Sequence, residues 1–215
     1  IIFMTINTYL VFLIGRQVKN EQTGFYAALL YTASIYAFVI TGIFILPDTP
    51  LSIFTLLAVL QFVKYFQYDK NKHLLLAGLF TGLAMLSKYS GVFVWVGVGL
   101  YVIIYARKEF RNPFLYLSVL ISVVCMLPIL LWNLNNDFIS FTFHGGRVGF
   151  FGDFHPEYFL TEIIGELGYN NPVNYVLIII SLVALMKGKN FIADMPKRLI
   201  LCLSLPLILL FWFFS

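Results

Sequence analysis

The sequence predicts an all-α fold: a polytopic transmembrane helix bundle of about eight spans, with one amphipathic helix on its outer face. Three observations predict it. Of 215 residues, 60% are hydrophobic and only 11% are charged, where a soluble domain carries about 25% charged residues. The apolar residues fall into runs approaching the roughly 20 residues needed to cross a hydrocarbon core. The basic residues gather in small groups between alternate runs, which is topology information and not a nucleic-acid patch.

The runs are Ile1–Gly15, Gly24–Leu46, Leu51–Phe66, Leu74–Ser87, Gly91–Tyr105, Pro113–Trp132, Pro172–Met186 and Leu199–Phe214. Between them lie Arg16 and Lys19; Lys70 and Lys72; Arg107, Lys108 and Arg111; and Lys187, Lys189, Lys197 and Arg198. The other connections hold Asp48, Asp137, Asp153, Glu157, Glu162 and Glu166. If the two kinds alternate, every basic group lies on one side, which the positive-inside rule makes cytoplasmic, and Asp48 faces outward.

Leu74 to Tyr105 tests this scheme, because its 32 residues carry the single charge Lys88. One long helix would put Arg107, Lys108 and Arg111 on the outer side. A hairpin turning at Ser87–Gly91 restores the alternation, with arms of about 14 residues, roughly 21 Å each. The Lys88 turn is then expected below the outer surface.

Residues 134–171 form the longest non-spanning segment, an outer loop. Asn135, Asn136, Asp137, Gly145, Gly146 and Gly149 are loop signals. From Pro156 to Tyr169, Phe159, Leu160, Ile163, Ile164 and Leu167 recur at helical spacing, which predicts the interfacial helix. Residues 1–215 read as one transmembrane domain. Ile1 and Leu207–Ser215 lie inside apolar runs, so the domain is expected to be truncated at both ends. Cys125 and Cys202 also fall in apolar runs and give no disulfide or zinc signal.

Asp48, in Leu46-Pro47-Asp48-Thr49-Pro50, has two readings. It is a favoured residue type for capping a helix that starts near Leu51. It is also an acid that could bind an acceptor or assist proton transfer at the interface. Lys88, flanked by Ser87, Tyr89 and Ser90, is either a snorkelling anchor or a cradle for a lipid phosphate. Trp132, Asn133, Asn135 and Asn136 read as belt and helix-end residues. Arg147 is the other basic residue on the predicted outer face, and two isolated cations there invite an anionic ligand. His144, Asp153 and His155 match no standard zinc spacing, so no metal site is assigned. No cofactor is expected, and a divalent metal is without sequence support.

Three segments occur in order: Leu46-Pro47-Asp48-Thr49-Pro50-Leu51; Gly78 to Tyr89, a Gly- and Leu-rich run ending in Ser87-Lys88; and Leu127-Pro128-Ile129-Leu130-Leu131-Trp132-Asn133. Together with Leu167-Gly168-Tyr169-Asn170-Asn171-Pro172, they make the chain resemble the bacterial branch of the dolichyl-phosphate-mannose protein mannosyltransferase family, which includes lipid A aminoarabinose transferases. The resemblance implies a GT-C fold and transfer of a sugar from a polyprenyl-phosphate donor to a lipid, protein or glycan acceptor. It implies a multi-pass protein of the bacterial inner membrane, active on the periplasmic or external side. It makes Asp48 an active-site acid of the second outer loop. The family's main catalytic base, in the first outer loop, would then precede Ile1, and the 215 residues alone are expected to be inactive. Lys88, with Tyr89, Asn133 and Arg147, would bind substrate; the phosphate role of Arg147 rests on its charge and predicted side. The alternative, a lipid or oligosaccharide transporter, predicts ionisable groups near mid-membrane and repeated halves, whereas here those groups sit at span ends.

Overall fold

The computed structural model describes residues 2–40, 44, 46–147, 161, 164–165, 167–168, 171–187 and 192–214, without the side chains of 40, 144–147, 185–186 and 209–214. Nine helices are named here: α1 (Ile2–Val18), α2 (Glu21–Ala33), α3 (Asp48–Tyr68), α4 (Asn71–Ser87), α5 (Phe93–Tyr105), α6 (Pro113–Leu134), α7 (Ile139–Arg147), α8 (Pro172–Met186) and α9 (Asp194–Phe214). Short turns of tighter or wider helix fill three connections: a π turn over Tyr36–Ile40 and 3₁₀ turns over Tyr89–Val92 and Arg107–Arg111. Among the described residues there is no strand. By length and apolarity, Asp48–Tyr68 and Pro113–Leu134 can each cross a membrane.

Local chemistry explains the helix ends. Asn20 accepts the Thr23 amide at 2.9 Å and starts α2. Asn112 accepts the Phe114 amide at 3.0 Å, with Pro113 in the first turn of α6. Both follow the preference of helix starts for Asn caps and of first turns for proline. Asp69 ends α3 in the left-handed region, φ 53°, which a short polar side chain tolerates.

The core lies where α3, α4, α5 and α9 meet, around Phe62, Tyr65, Leu74, Val98 and Leu199. The closest helix pairing is α4 against α6. A Cβ on Gly78 would lie 2.3 Å from the Ser118 carbonyl oxygen, and one on Gly82 would lie 2.7 Å from the Ser122 Cα. Small residues four apart on both helices thus let two backbones touch, the usual means of helix association in lipid, where no hydrophobic force drives it. The Ser122 hydroxyl donates to the Gly78 carbonyl at 2.5 Å and accepts from the Trp95 indole at 3.0 Å. A single oxygen therefore ties α4, α5 and α6 together.

Short connections make neighbouring helices antiparallel, so the described parts of the basic clusters gather at one end of the bundle. At that end Gln17 of α1 donates to the Gln67 side chain of α3 at 2.5 Å. The buried Glu109 accepts from Tyr65, and Asn112 donates to the Tyr65 hydroxyl at 2.8 Å and to Asn71 at 3.3 Å. This knot joins α3, α4 and the turn before α6. Glu109→Ala is expected to cost about 1–3 kcal/mol, because Tyr65 and Asn112 lose a buried acceptor. A lower midpoint of thermal unfolding in detergent is the check.

Two of the differences between predicted spans and observed helices bear on the site. The run Gly24–Leu46 is not one helix, because α2 stops at Ala33 and Ser34 is extended (φ −73°, ψ 123°). The Ser34 side chain accepts from the Ala37 amide at 3.4 Å, which starts the π turn. The span expected to begin at Leu51 begins three residues earlier, at Asp48. By contrast, the chain does turn after Ser87. There the Lys88 amide closes α4 on the Ala84 carbonyl at 3.0 Å, and Gly91 lies against the Ala84–Met85 backbone. In the segment read as an outer loop, Gly145, Gly146 and Arg147 belong to the end of α7. Most of the predicted interfacial helix, Pro156–Tyr169, lies outside the described residues, as do Asp153 and His155.

Candidate active site at the Asp48 and Lys88 turns

The end opposite the basic clusters is built from three breaks in helix: the turn into α3, the turn between α4 and α5, and the end of α6. Pro47 precedes α3 and makes no side-chain cap. The capping reading of Asp48 is therefore corrected. Asp48 is the first residue of the helix; its carboxylate accepts from its own backbone amide and also reaches across to other elements. Its place in the first turn also puts it near the positive end of the α3 dipole.

Lys88 Nζ donates to Asp48 Oδ1 at 2.8 Å. The Tyr36 hydroxyl donates to the same oxygen at 3.0 Å. Two residues forty apart in sequence thus meet as an ion pair, and the expectation of an isolated Lys88 is corrected. The pair is not sealed off: the Lys88 side chain is 45% exposed and that of Asp48 17%. An ammonium has three donors, so Lys88 can hold Asp48 and still face a second anion. Both of these side-chain bonds arrive at Oδ1, so neither occupies Oδ2.

The next residue begins a second chain of contacts. The Tyr89 hydroxyl and Ser140 Oγ lie 2.7 Å apart, and Ser140 donates to Asn133 Oδ1 at 2.6 Å. Asn133 is fully buried, and its amide donates to the Ile129 carbonyl at 3.0 Å. Phe141 packs on the Tyr89 ring with centroids 5.2 Å apart. The structure therefore joins the predicted Tyr89 and Asn133 through Ser140, which connects the α4–α5 turn to α6 and α7. Ser140→Ala is expected to cost about 1–3 kcal/mol by leaving the buried Asn133 oxygen unpaired, read as a fall in thermal midpoint. The Arg147 side chain lies outside the described ones; its backbone ends α7.

Beside the ion pair is a largely apolar cavity of about 660 Å³, lined by Tyr36, Ser52, Asn174, Leu177, Ile178 and Leu201 among others. Tyr36 belongs to both places: its ring borders the cavity and its hydroxyl holds Asp48. One turn beyond Asp48, Ser52 borders the cavity and accepts from the buried Asn7 of α1 at 2.8 Å. Sequence reasoning missed Tyr36, Ser52 and Ser140, whose roles depend on contacts between distant helices. Among the described residues, no three His, Cys, Asp or Glu side chains gather as a metal site; the His144 side chain lies outside the described ones.

An ion pair with a spare cationic face, placed where polar turns meet an apolar cavity, suits a ligand with an anionic head and a hydrocarbon body. Neither curated proteins nor solved structures match the chain. Residues 1–132 match the family described as dolichyl-phosphate-mannose-protein mannosyltransferase. That match covers more than half of the 215 residues and includes Asp48, Lys88 and Tyr89, and the chain belongs to this family.

Proposed function

We propose that the protein transfers a sugar from a polyprenyl-phosphate donor to an acceptor hydroxyl of a lipid, protein or glycan, on the outer face of a bacterial cytoplasmic membrane. Membership in the family implies a membrane glycosyltransferase of the GT-C type. The observation that carries the finer reading is the Lys88–Asp48 pair, joined through the Tyr36 hydroxyl to the apolar cavity that the Tyr36 ring borders. In this reading the bundle spans the membrane about eight times, and the basic clusters mark the cytoplasmic side.

The chemistry follows from the placement. The bond between the anomeric carbon and the donor phosphate oxygen breaks, and its electron pair stays on the phosphate. The acceptor oxygen bonds to the anomeric carbon and gives up its proton to the main base of the family's mechanism, a carboxylate other than Asp48. Lys88 stabilises the charge gathering on the phosphate, and Arg147 is the second cation proposed for that role. Asp48 Oδ2 receives and orients the acceptor hydroxyl, with Asp48 an active-site acid and not the main base. Tyr89 and Asn133, fixed through Ser140, line the donor side. The isoprenoid chain lies in the cavity bordered by Leu177, Ile178 and Leu201.

The test is transfer of radiolabelled sugar from a polyprenyl-phosphate donor by the full-length protein. Label appearing in a polar product, with release of polyprenyl phosphate, is the expected outcome. Movement of the intact donor across the membrane without transfer would refute it.

A further inference from the structure

The end of α2 leaves carbonyls without helical donors, as every helix end does. Three of the carbonyls in this last turn are met by other donors. Tyr31 takes the Ser34 amide at 3.1 Å. Leu30, whose regular donor would be that same Ser34 amide, takes the Asn174 side-chain amide at 2.7 Å. Ala33, the last residue, takes the Asn171 side-chain amide at 3.2 Å. Both asparagines stand at the start of α8, well over a hundred residues along the chain. Asn171 is itself in the left-handed region, φ 70°, and its side-chain oxygen accepts the Val173 amide at 3.0 Å, so one residue caps two helices.

A break of this kind is costly in an apolar setting unless neighbouring groups satisfy the exposed backbone. Residues 25–40 contain neither glycine nor proline to force it. Besides the local turn at Ser34, the donors that meet the freed carbonyls come from the start of α8. Just beyond it, the π turn carries Tyr36 to Asp48. An uninterrupted helix would give each residue its regular 100° of rotation and turn the ring elsewhere.

We propose that Asn171 and Asn174 are positioning residues that hold α2 broken and thereby keep the Tyr36 hydroxyl on Asp48. Contact between α8 and α2 then reaches the acid without touching it, and the segment leading into α8 gains a route to the site. The proposal takes its importance from the transferase reading but stands on this geometry, so its test does not use transfer.

The experiment places 3-fluorotyrosine at position 36 of the intact protein in nanodiscs and follows its ¹⁹F resonance, with a second label at Tyr65 as a control. Asp48→Ala defines the resonance of the released ring. Asn174→Ala is expected to move the Tyr36 signal at least half of the way to that position, and Asn171→Ala to move it in the same direction. Ile180→Ala, on the same helix but exposed and away from the cavity, should leave it in place, and the Tyr65 signal should stay unchanged throughout. An unmoved Tyr36 signal in either asparagine variant that keeps its Tyr65 signal would overturn the proposal. So would an Asp48→Ala resonance equal to that of the parent protein, since there would be no contact to hold.

Discussion

Replacing Lys88 by alanine is expected to lower sugar transfer by about 10²–10³-fold, the range for removing one group that stabilises charge developing in a transition state. The argument rests on where Lys88 spends its donors. One contacts Asp48 at 2.8 Å, and the side chain remains 45% exposed, so it can reach a phosphate arriving at the mouth of the cavity. Asp48→Asn should also reduce transfer strongly, because the neutral amide gives up both the ion pair with Lys88 and the charge that orients the attacking hydroxyl. A structural role for the pair makes a different forecast. Replacing a partly buried pair by neutral side chains of similar size is often neutral for stability. The double variant Asp48→Asn with Lys88→Met should therefore reach the membrane at parental levels and remain inactive. Parental transfer rates in that double variant would show that the pair only holds two turns together.

Gly91→Val is expected to produce the largest structural effect. A Cβ there would lie 2.5 Å from both the Ala84 carbonyl carbon and the Met85 nitrogen, and backbone cannot rotate out of the way. The 3₁₀ turn must move off the end of α4. That overpacking costs about 1–3 kcal/mol or more, and the moving segment directly follows Lys88. Unfolding midpoints and transfer should fall together. Gly99→Ala is the matched control, since nothing lies within 4 Å of its added carbon; its midpoint should stay within a degree or two of the parent.

Much of this site was legible in the sequence because its signals are punctuation. A lone lysine within 32 apolar residues forces a turn, and Pro47-Asp48-Thr49-Pro50 marks a helix boundary. These cues act within a few residues of where they are written. The partner of each turn was not legible. Nothing near Asp48 names Tyr36, and nothing near Tyr89 names Ser140, because both meetings depend on how distant helices pack. The break at Ser34 was hidden for a stronger reason. Two side-chain donors that meet its freed carbonyls stand at the start of α8, so Gly24–Leu46 reads as one continuous span however closely it is inspected. Asn171 was noticed only as part of a span entry and Asn174 not at all, and their bonds to α2 come from the fold. Asp48 itself was half legible: its position was right, while the capping role failed because the helix starts on it.

The shared oxygen of Ser122 makes three helices into one mechanical block. With α4 and α6 at backbone contact and α5 tied to them through the Trp95 indole, Lys88, Tyr89 and Asn133 ride on it together. Around the cavity, α2 lies at backbone contact with α1 (Gly24 against Phe12) and α9 with α5 (Gly97 against Leu203), while α8 reaches α2 through the Asn171 and Asn174 side chains. In the proposed transfer, a long hydrocarbon ligand would therefore enter and leave on the α8 side, while the block carrying Lys88 keeps its shape. Asp48, on α3, meets that block through its contact with Lys88.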